Sequence, residues 1–180
     1  TKLEPESLDV WELGYKGMFW DNRIELDAST FFYTYENLQQ FVSAAGGLPR
    51  LENAPESEIT GFDANVRYAG DSGLYLQAGV SILDTEVTES GDSSFAEGAE
   101  LAMAPEVSFN LLASQSFQLE SGNELNLTAN IAHTGDQVKS TATNGNANVV
   151  DQLTQEAYTL VNGNLTYRFG DAGQYAFSLY

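Results

Sequence analysis

Residues 3–42, LEPESLDVWELGYKGMFWDNRIELDASTFFYTYENLQQFV, decide how the rest of the chain is read. They form two alternating runs joined by a short turn at WDN (20–22), and the second run opens into a polar, aromatic-rich loop. Trp11, Leu13, Tyr15, Gly17 and Phe19 share one parity, while Glu12, Gly14, Lys16 and Met18 share the other. Beyond the turn, Ile24, Leu26, Ala28, Thr30 and Phe32 fall on one side and Arg23, Glu25, Asp27 and Ser29 on the other. Side chains alternate across a strand with a period of two, so this stretch is a β-hairpin with one face free of charge.

The same pattern repeats along the chain. Residues 43–58 (SAAGGLPRLENAPESE) carry Gly-Gly and two prolines and are expected to be a loop. A run at 59–68 sets Thr60, Phe62, Ala64, Val66 and Tyr68 against Gly61, Asp63, Asn65 and Arg67. AGDSG (69–73) is a tight turn built from residues that tolerate positive φ. Further runs follow at 74–84, 107–119, 125–131, 158–169 and 174–180. Long loops are expected at about 85–104 and 133–157, the latter containing the polar TATNGNANV segment. The expectation is about eight strands, with short turns at one end and long loops at the other.

Composition bounds this reading. The 180 residues are 42% hydrophobic and 12% aromatic, enough for one ordered domain, and there is no apolar run long enough for a transmembrane helix. A mean hydropathy of -0.26 does not exclude a membrane barrel, whose strands alternate and so average out. No cysteine is present, so disulfides and thiolate metal sites are excluded. With 26 Asp and Glu against 7 Lys and Arg, the net charge of -19 argues against nucleic acid as a partner.

Segregated turns and loops point to an all-β fold: an antiparallel transmembrane β-barrel segment with short periplasmic turns and long extracellular loops. A Lys or Arg facing lipid at the bilayer midplane costs about 2–4 kcal/mol, and the apolar parities of the expected strands carry no charge. Aromatic placement separates lipid from a soluble core. Phe19, Tyr68, Phe117, Phe169 and Tyr175 all lie on the apolar parity close to a short turn. Trp11 pairs with Phe19, and Phe109 with Phe117, at a spacing of eight. Eight residues cover about 26 Å of strand, or roughly 20 Å of depth when tilted by about 40°, which matches an apolar band between two aromatic girdles. Two other architectures stay open at this point: a self-contained eight-stranded outer-membrane barrel with a structural or adhesion role, and a soluble acidic β-sandwich binding a ligand through its loops.

The chain also resembles a family. Pro5–Glu6, ELGYKG at 12–17, RIELDAS-FFYTYENLQ across 23–39, LENAPESEITGFDANVRY at 51–68, APEVSFNLLASQSF at 104–117 and YTLVNGNLTYRF at 158–169 occur in the order and spacing of the C-terminal barrel of TonB-dependent outer-membrane receptors. The resemblance implies part of a 22-stranded barrel with a plugged lumen. It implies a bacterial outer-membrane location among lipid. It also implies import of a scarce nutrient such as a ferric siderophore, driven by the inner-membrane TonB complex. Relative to that family the chain lacks a plug domain and an energy-coupling box and stops at Tyr180 within the expected next-to-last strand, so a fragment is expected, completed by the remaining strands and plug of a parent receptor.

No catalytic constellation is evident. His133 is the sole histidine and stands where a strand meets a loop, without a nucleophile motif. The acidic segment 86–100 offers carboxylates but lacks the spacing of a calcium loop, and no cofactor or metal is expected. On the polar parity, Glu12, Lys16, Arg23, Glu25, Asp63, Arg67 and Arg168 are expected to form a lumen charge ladder near the short turns; by resemblance this wall would face the plug. For ligand contact the candidates are Tyr33, Tyr35, Asn37, Gln39 and Arg50, aromatic faces with amide and guanidinium donors at the loop end of the second strand.

Overall fold

The computed structural model describes residues 2–43, 49–90, 94–141 and 153–180. The strands are β1 (Ser7–Phe19), β2 (Ile24–Ser43), β3 (Pro49–Ala69), β4 (Leu74–Glu89), β5 (Val107–Gln118), β6 (Glu124–Thr134), β7 (Gln137–Val138), β8 (Thr154–Gln155), β9 (Tyr158–Phe169) and β10 (Tyr175–Leu179). Eight of them make one antiparallel sheet in the order β1-β2-β3-β4-β5-β6-β9-β10, and β7 pairs with β8 as a separate two-residue ribbon. The turn between β9 and β10 is a single 3-10 turn at Asp171–Gly173.

From the short turns up to Asn37, register keeps each parity on one face of the sheet. One outer row reads Leu26, Val66, Ala78, Leu111, Ile131 and Val161, each opposite the next. The matching inner row reads Lys16, Asp27, Asn65, Gly79, Asn110 and Ala132. A slip of one residue would exchange these rows, so the polarity difference itself fixes the register. The outer face leaves Trp11, Leu13 and Val161 at least 70% exposed, in a band of large apolar residues that only hydrocarbon would cover. A second sheet packed on that face, as a sandwich needs, is not present among the described residues. Neither do β1 and β10 pair, so the sheet is open and does not close as an eight-stranded barrel.

The aromatics mark the turn end of the outer face. Tyr15 stacks on Phe19 at 6.4 Å, Trp20 on Tyr68 at 6.0 Å, Tyr167 on Phe169 at 5.5 Å, and Phe169 meets Tyr175 at 5.5 Å. At the other boundary Phe109 stacks on His133 at 5.0 Å. His133 therefore occupies the apolar parity of β6, at its loop end, where a polar ring meets water.

Three expected loops are shorter than the sequence suggests. Residues 49–58 are strand, because β2 and β3 continue as a paired hairpin well beyond Phe32 and Thr60. Likewise 85–89 belong to β4, and 133–134 to β6. A barrel strand needs about 9–11 residues to cross the membrane, and β2 has 20, so roughly half of that hairpin stands outside the bilayer. The Gly-Gly of the first loop, residues 91–93 of the second and most of TATNGNANV in the third lie outside the described residues.

The pleat inverts beyond the membrane-crossing part of the hairpin, at Asn37. Asn37 has φ 57 and faces Pro55, which has no N–H for the ladder, and the register resumes at Leu38 opposite Ala54. Below this point Phe31 is buried and Phe32 exposed; above it Val42 is buried and Phe41 exposed. On β3, Ala54 and Ser57 are both buried although they are three apart. The even positions of β2 beyond Asn37 therefore turn inward and meet a small core of Val42, Ala54, Val87, Phe95 and Leu101, flanked by Leu38, Ile59, Ala99 and Ala104. This is the only water-excluded core among the described residues, and it seats the β4–β5 connection against the inside of the hairpin.

Candidate functional site

The inner wall and its loop-end mouth are where a polar ligand or partner can meet this sheet. Near the short turns the wall is charged. Lys16 Nζ stands 2.8 Å from Asp27, its register partner, and Arg67 Nη1 donates to Glu25 at 3.0 Å, again directly across the ladder. These are open pairs in water, each worth at most about 1 kcal/mol. Arg23 pairs instead with Asp71 of the β3–β4 turn, and its guanidinium lies 5.9 Å above the Trp20 ring.

The expected ladder is therefore only partly one cluster. Lys16, Glu25 and Arg67 belong together, with Asp27 as the fourth member. Glu12 lies opposite Phe31, two rungs away from Lys16 on its face. Arg168 is on β9, opposite Glu124 and separated from β3 by three strands. Asp63 stands between Ser29 and Ser81, without an ion pair among the described residues.

On β5, β6, β9 and β10 much of the inner wall is neutral and bonded to itself, with Glu124 opposite Arg168 as a charged rung at the turn end. Asn126 Nδ2 donates to Ser114 at 3.2 Å and Ser116 at 2.9 Å, and the Thr128 hydroxyl donates to Asn126 Oδ1 at 2.9 Å. The same motif recurs where Thr166 donates to Asn164 Oδ1 at 2.9 Å beside Ser178. Alternating Asn and Thr on the inner parity produce these rungs, a pattern visible in LNLTAN and NGNLTY.

At the mouth, the candidate ligand residues are brought together, but by the chain itself. Tyr35 donates to Glu6 at 3.2 Å, and Gln39 N–H donates to the other oxygen of Glu6 at 2.7 Å. Gln39 Nε2 donates to the Glu4 carbonyl at 3.1 Å, and Asn53 clamps the Glu4 backbone from both sides, at 2.9 and 3.1 Å. The Asn37 carbonyl accepts from Asn53 at 2.6 Å, and Arg50 pairs with Glu52. Tyr33 stacks on Phe31 at 4.8 Å. The segment preceding β1 thus lies across the ends of β2 and β3. Glu4 and Glu6, an acidic pair that by sequence reads as solvated surface, are instead bonded to β2 and β3, and Asn53 is not marked by sequence, since nothing local signals a contact between residues 49 apart.

The mouth is further ordered from the loop side. Leu101 N–H donates to the buried Thr85 hydroxyl at 3.1 Å, and Ala102 N–H to the buried Thr141 hydroxyl at 2.8 Å. Met103 N–H reaches the Val138 carbonyl at 2.9 Å, so two long connections are bonded to each other as well as to the sheet. Burial of the Tyr35 ring, with the Glu6 carboxylate beside it, raises the tyrosine above its ordinary value of 10.0.

Residues 1–180 match the family described as TonB dependent receptor-like, beta-barrel. Among solved structures, BauA, the ferric preacinetobactin receptor of Acinetobacter baumannii, superposes with a TM-score of 0.68 at 19% identity, over 92% of this chain and 23% of that one. FyuA, the ferric yersiniabactin uptake receptor of Yersinia pestis, gives 0.71 at 18% identity, over 90% and 22%. Fiu, the ferric-catecholate import receptor of E. coli K12, gives 0.67 at 18% identity, over 93% and 22%. The chain thus spans less than a quarter of each of these structures.

Proposed function

Because this chain belongs to the TonB-dependent receptor β-barrel family, proteins of the bacterial outer membrane, we propose that it forms eight strands of the wall of a receptor that imports a ferric siderophore. The observation that carries the reading is the two-faced open sheet: a lipid-compatible outer face, a polar inner face and two unpaired edges, β1 and β10. Unpaired edges are not tolerated in hydrocarbon, so further strands of the same parent protein complete the wall, 22 in all by family. The charged and amide-lined inner face suits a polar plug, and the parent draws its energy from the inner-membrane TonB complex.

Ligand contact is placed at the mouth. Tyr33 offers a ring and a hydroxyl on the inner face and Asn37 an amide side chain, whereas Tyr35, Gln39 and Arg50 reach a ligand only by exchanging the partners they now hold. Solved receptors of similar fold bear names of ferric preacinetobactin, ferric yersiniabactin and ferric-catecholate uptake, which supports iron chelates as the class.

The test is growth under iron limitation. Deleting the gene of the full-length protein is expected to abolish growth on one class of ferric siderophore, and the intact gene restores it. Unchanged growth on every ferric siderophore supplied, together with lost growth on another scarce nutrient, replaces the siderophore by that nutrient and leaves the barrel reading intact.

A further inference from the structure

Beyond the membrane the tall hairpin of β2 and β3 loses its neighbours. The last rung of β1 on β2 is Ser7 with Glu36, and the last rung of β4 on β3 is Glu89 with Glu56. Residues 38–43 and 49–54 therefore form a two-stranded ribbon with an open margin on each side among the described residues. An open margin presents backbone N–H and C=O groups to any chain that comes beside it.

The two margins are built differently. In an antiparallel ladder, alternate residues point their backbone groups away from the partner strand. Gln39 points away from β3, since its N–H donates to the Glu6 carboxylate at 2.7 Å. Phe41 and Ser43 turn the same way, and their facing residues Leu51 and Pro49 turn to the opposite margin, in series with Pro55. On that β3 side Pro49 and Pro55 supply no N–H, a device that blunts an exposed edge. Glu52 beside them accepts the Ser94 N–H at 3.1 Å, so the β4–β5 connection also reaches this side. The β2 side has neither protection. Its sequence is LQQFVS (38–43), without proline, glycine or charge. The Phe41 ring stands 71% exposed there, and no described residue bonds the outward backbone groups of Phe41 or Ser43.

We propose that this β2 margin, residues 39–43, receives an extended, basic segment of another polypeptide outside the cell, which adds to the ribbon as a further strand. Main-chain bonds to Phe41 and Ser43 hold the segment, and its alternate side chains pack against the Phe41 ring. Its charge follows from the acids around the margin. Glu4, Glu6 and Glu36 are exposed, while the nearby cations Lys2 and Arg50 are already paired with Glu4 and Glu52. A second copy of this chain fits poorly, because two copies in one membrane hold β2 pointing the same way and would meet only in the less stable parallel pattern. The site needs only that the loop end of the wall faces the exterior, and it is independent of the nutrient carried.

The test uses the full-length protein folded in detergent and two short peptides of equal length, one alternating lysine with valine, the other glutamate with valine. The lysine peptide is expected to bind saturably and to slow deuterium exchange at the Phe41 and Ser43 amides, with the glutamate peptide about tenfold weaker. Methylating alternate backbone nitrogens of the lysine peptide keeps its charge, removes its ladder and should weaken binding by about tenfold or more. Phe41→Pro withdraws the outward N–H and the ring together and is expected to abolish binding. Heat-modifiable gel mobility reports whether that variant folds; if it does not, the methylated peptide decides alone. Equal binding of the methylated peptide reduces the effect to charge attraction and overturns the proposal. So does unchanged binding to folded Phe41→Pro, or exchange at Phe41 that the lysine peptide leaves unaltered. Exchange at Phe41 that slows with protein concentration alone assigns the margin to a second copy and likewise overturns it.

Discussion

Trp20, Asp21 and Asn22 hold left-handed backbone, with φ of 54, 54 and 63, and this is how β1 reverses into β2 so tightly. Asp and Asn accept that conformation at small cost, whereas a tryptophan does not. The Trp20 ring offsets the strain by stacking on Tyr68 and beneath the Arg23 guanidinium. Gly61 shows the opposite device, a missing side chain covered by an aromatic one. The Phe31 ring lies where a Cβ would stand, with Leu83 at 2.9 Å behind it. Gly61→Ala forces the ring off its rotamer and is expected to cost about 1–3 kcal/mol, read from urea unfolding of the detergent-folded protein. At the mouth, the raised tyrosine value means the neutral ring is favoured in the folded protein. Its bond to Glu6 is fully present below the ordinary tyrosine value and is lost as pH climbs through the raised one. Protection of the Gln39 amide, taken relative to its intrinsic base-catalysed exchange, should therefore fall at alkaline pH, and Glu6→Gln should remove that pH dependence of the protection.

Elements, unlike single residues, were mostly legible from alternation alone. The eight strands of the large sheet, their pairing and their two faces follow from period-two patterning, because the membrane and the lumen impose opposite polarity on adjacent positions. Alternation fails above Asn37. Pro55 and the Gly-Gly segment look like loop punctuation, yet Pro55 occupies a rung where no ladder bond is needed, and the hairpin continues past it. The inverted pleat also hid the core, since Phe41 and Val42 swap the roles their parity predicts. The charge ladder was legible where partners are direct register neighbours, as for Lys16 with Asp27, and illegible for Arg168, whose distance from the others depends on strand order. Leu101 anchors the β4–β5 connection onto this core. Leu101→Ala is expected to cost about 2–5 kcal/mol locally, and limited proteolysis should then cut residues 94–106 before any strand of the sheet.

For the whole molecule the deciding property is that its greasy side is its outside. Ile131 and Asn130 are adjacent on β6 and face opposite solvents. Ile131→Arg is expected to destabilise the protein in lipid by about 2–4 kcal/mol, while Asn130→Arg stays within about 1 kcal/mol, as measured by refolding into vesicles. Equal losses at both positions would mean that the outer row does not contact lipid. The order of strands has a further consequence, for biogenesis. Each strand of the large sheet lies beside its predecessor in the chain, with β9 following β6 across the ribbon of β7 and β8. Pairing therefore needs only the closure of short connections except at the β4–β5 and β6–β9 segments, and because loop-closure entropy grows slowly with length even these two steps cost little more. A chain threaded this way can grow by zippering one hairpin at a time onto a waiting margin, each new strand finding its partner already in place.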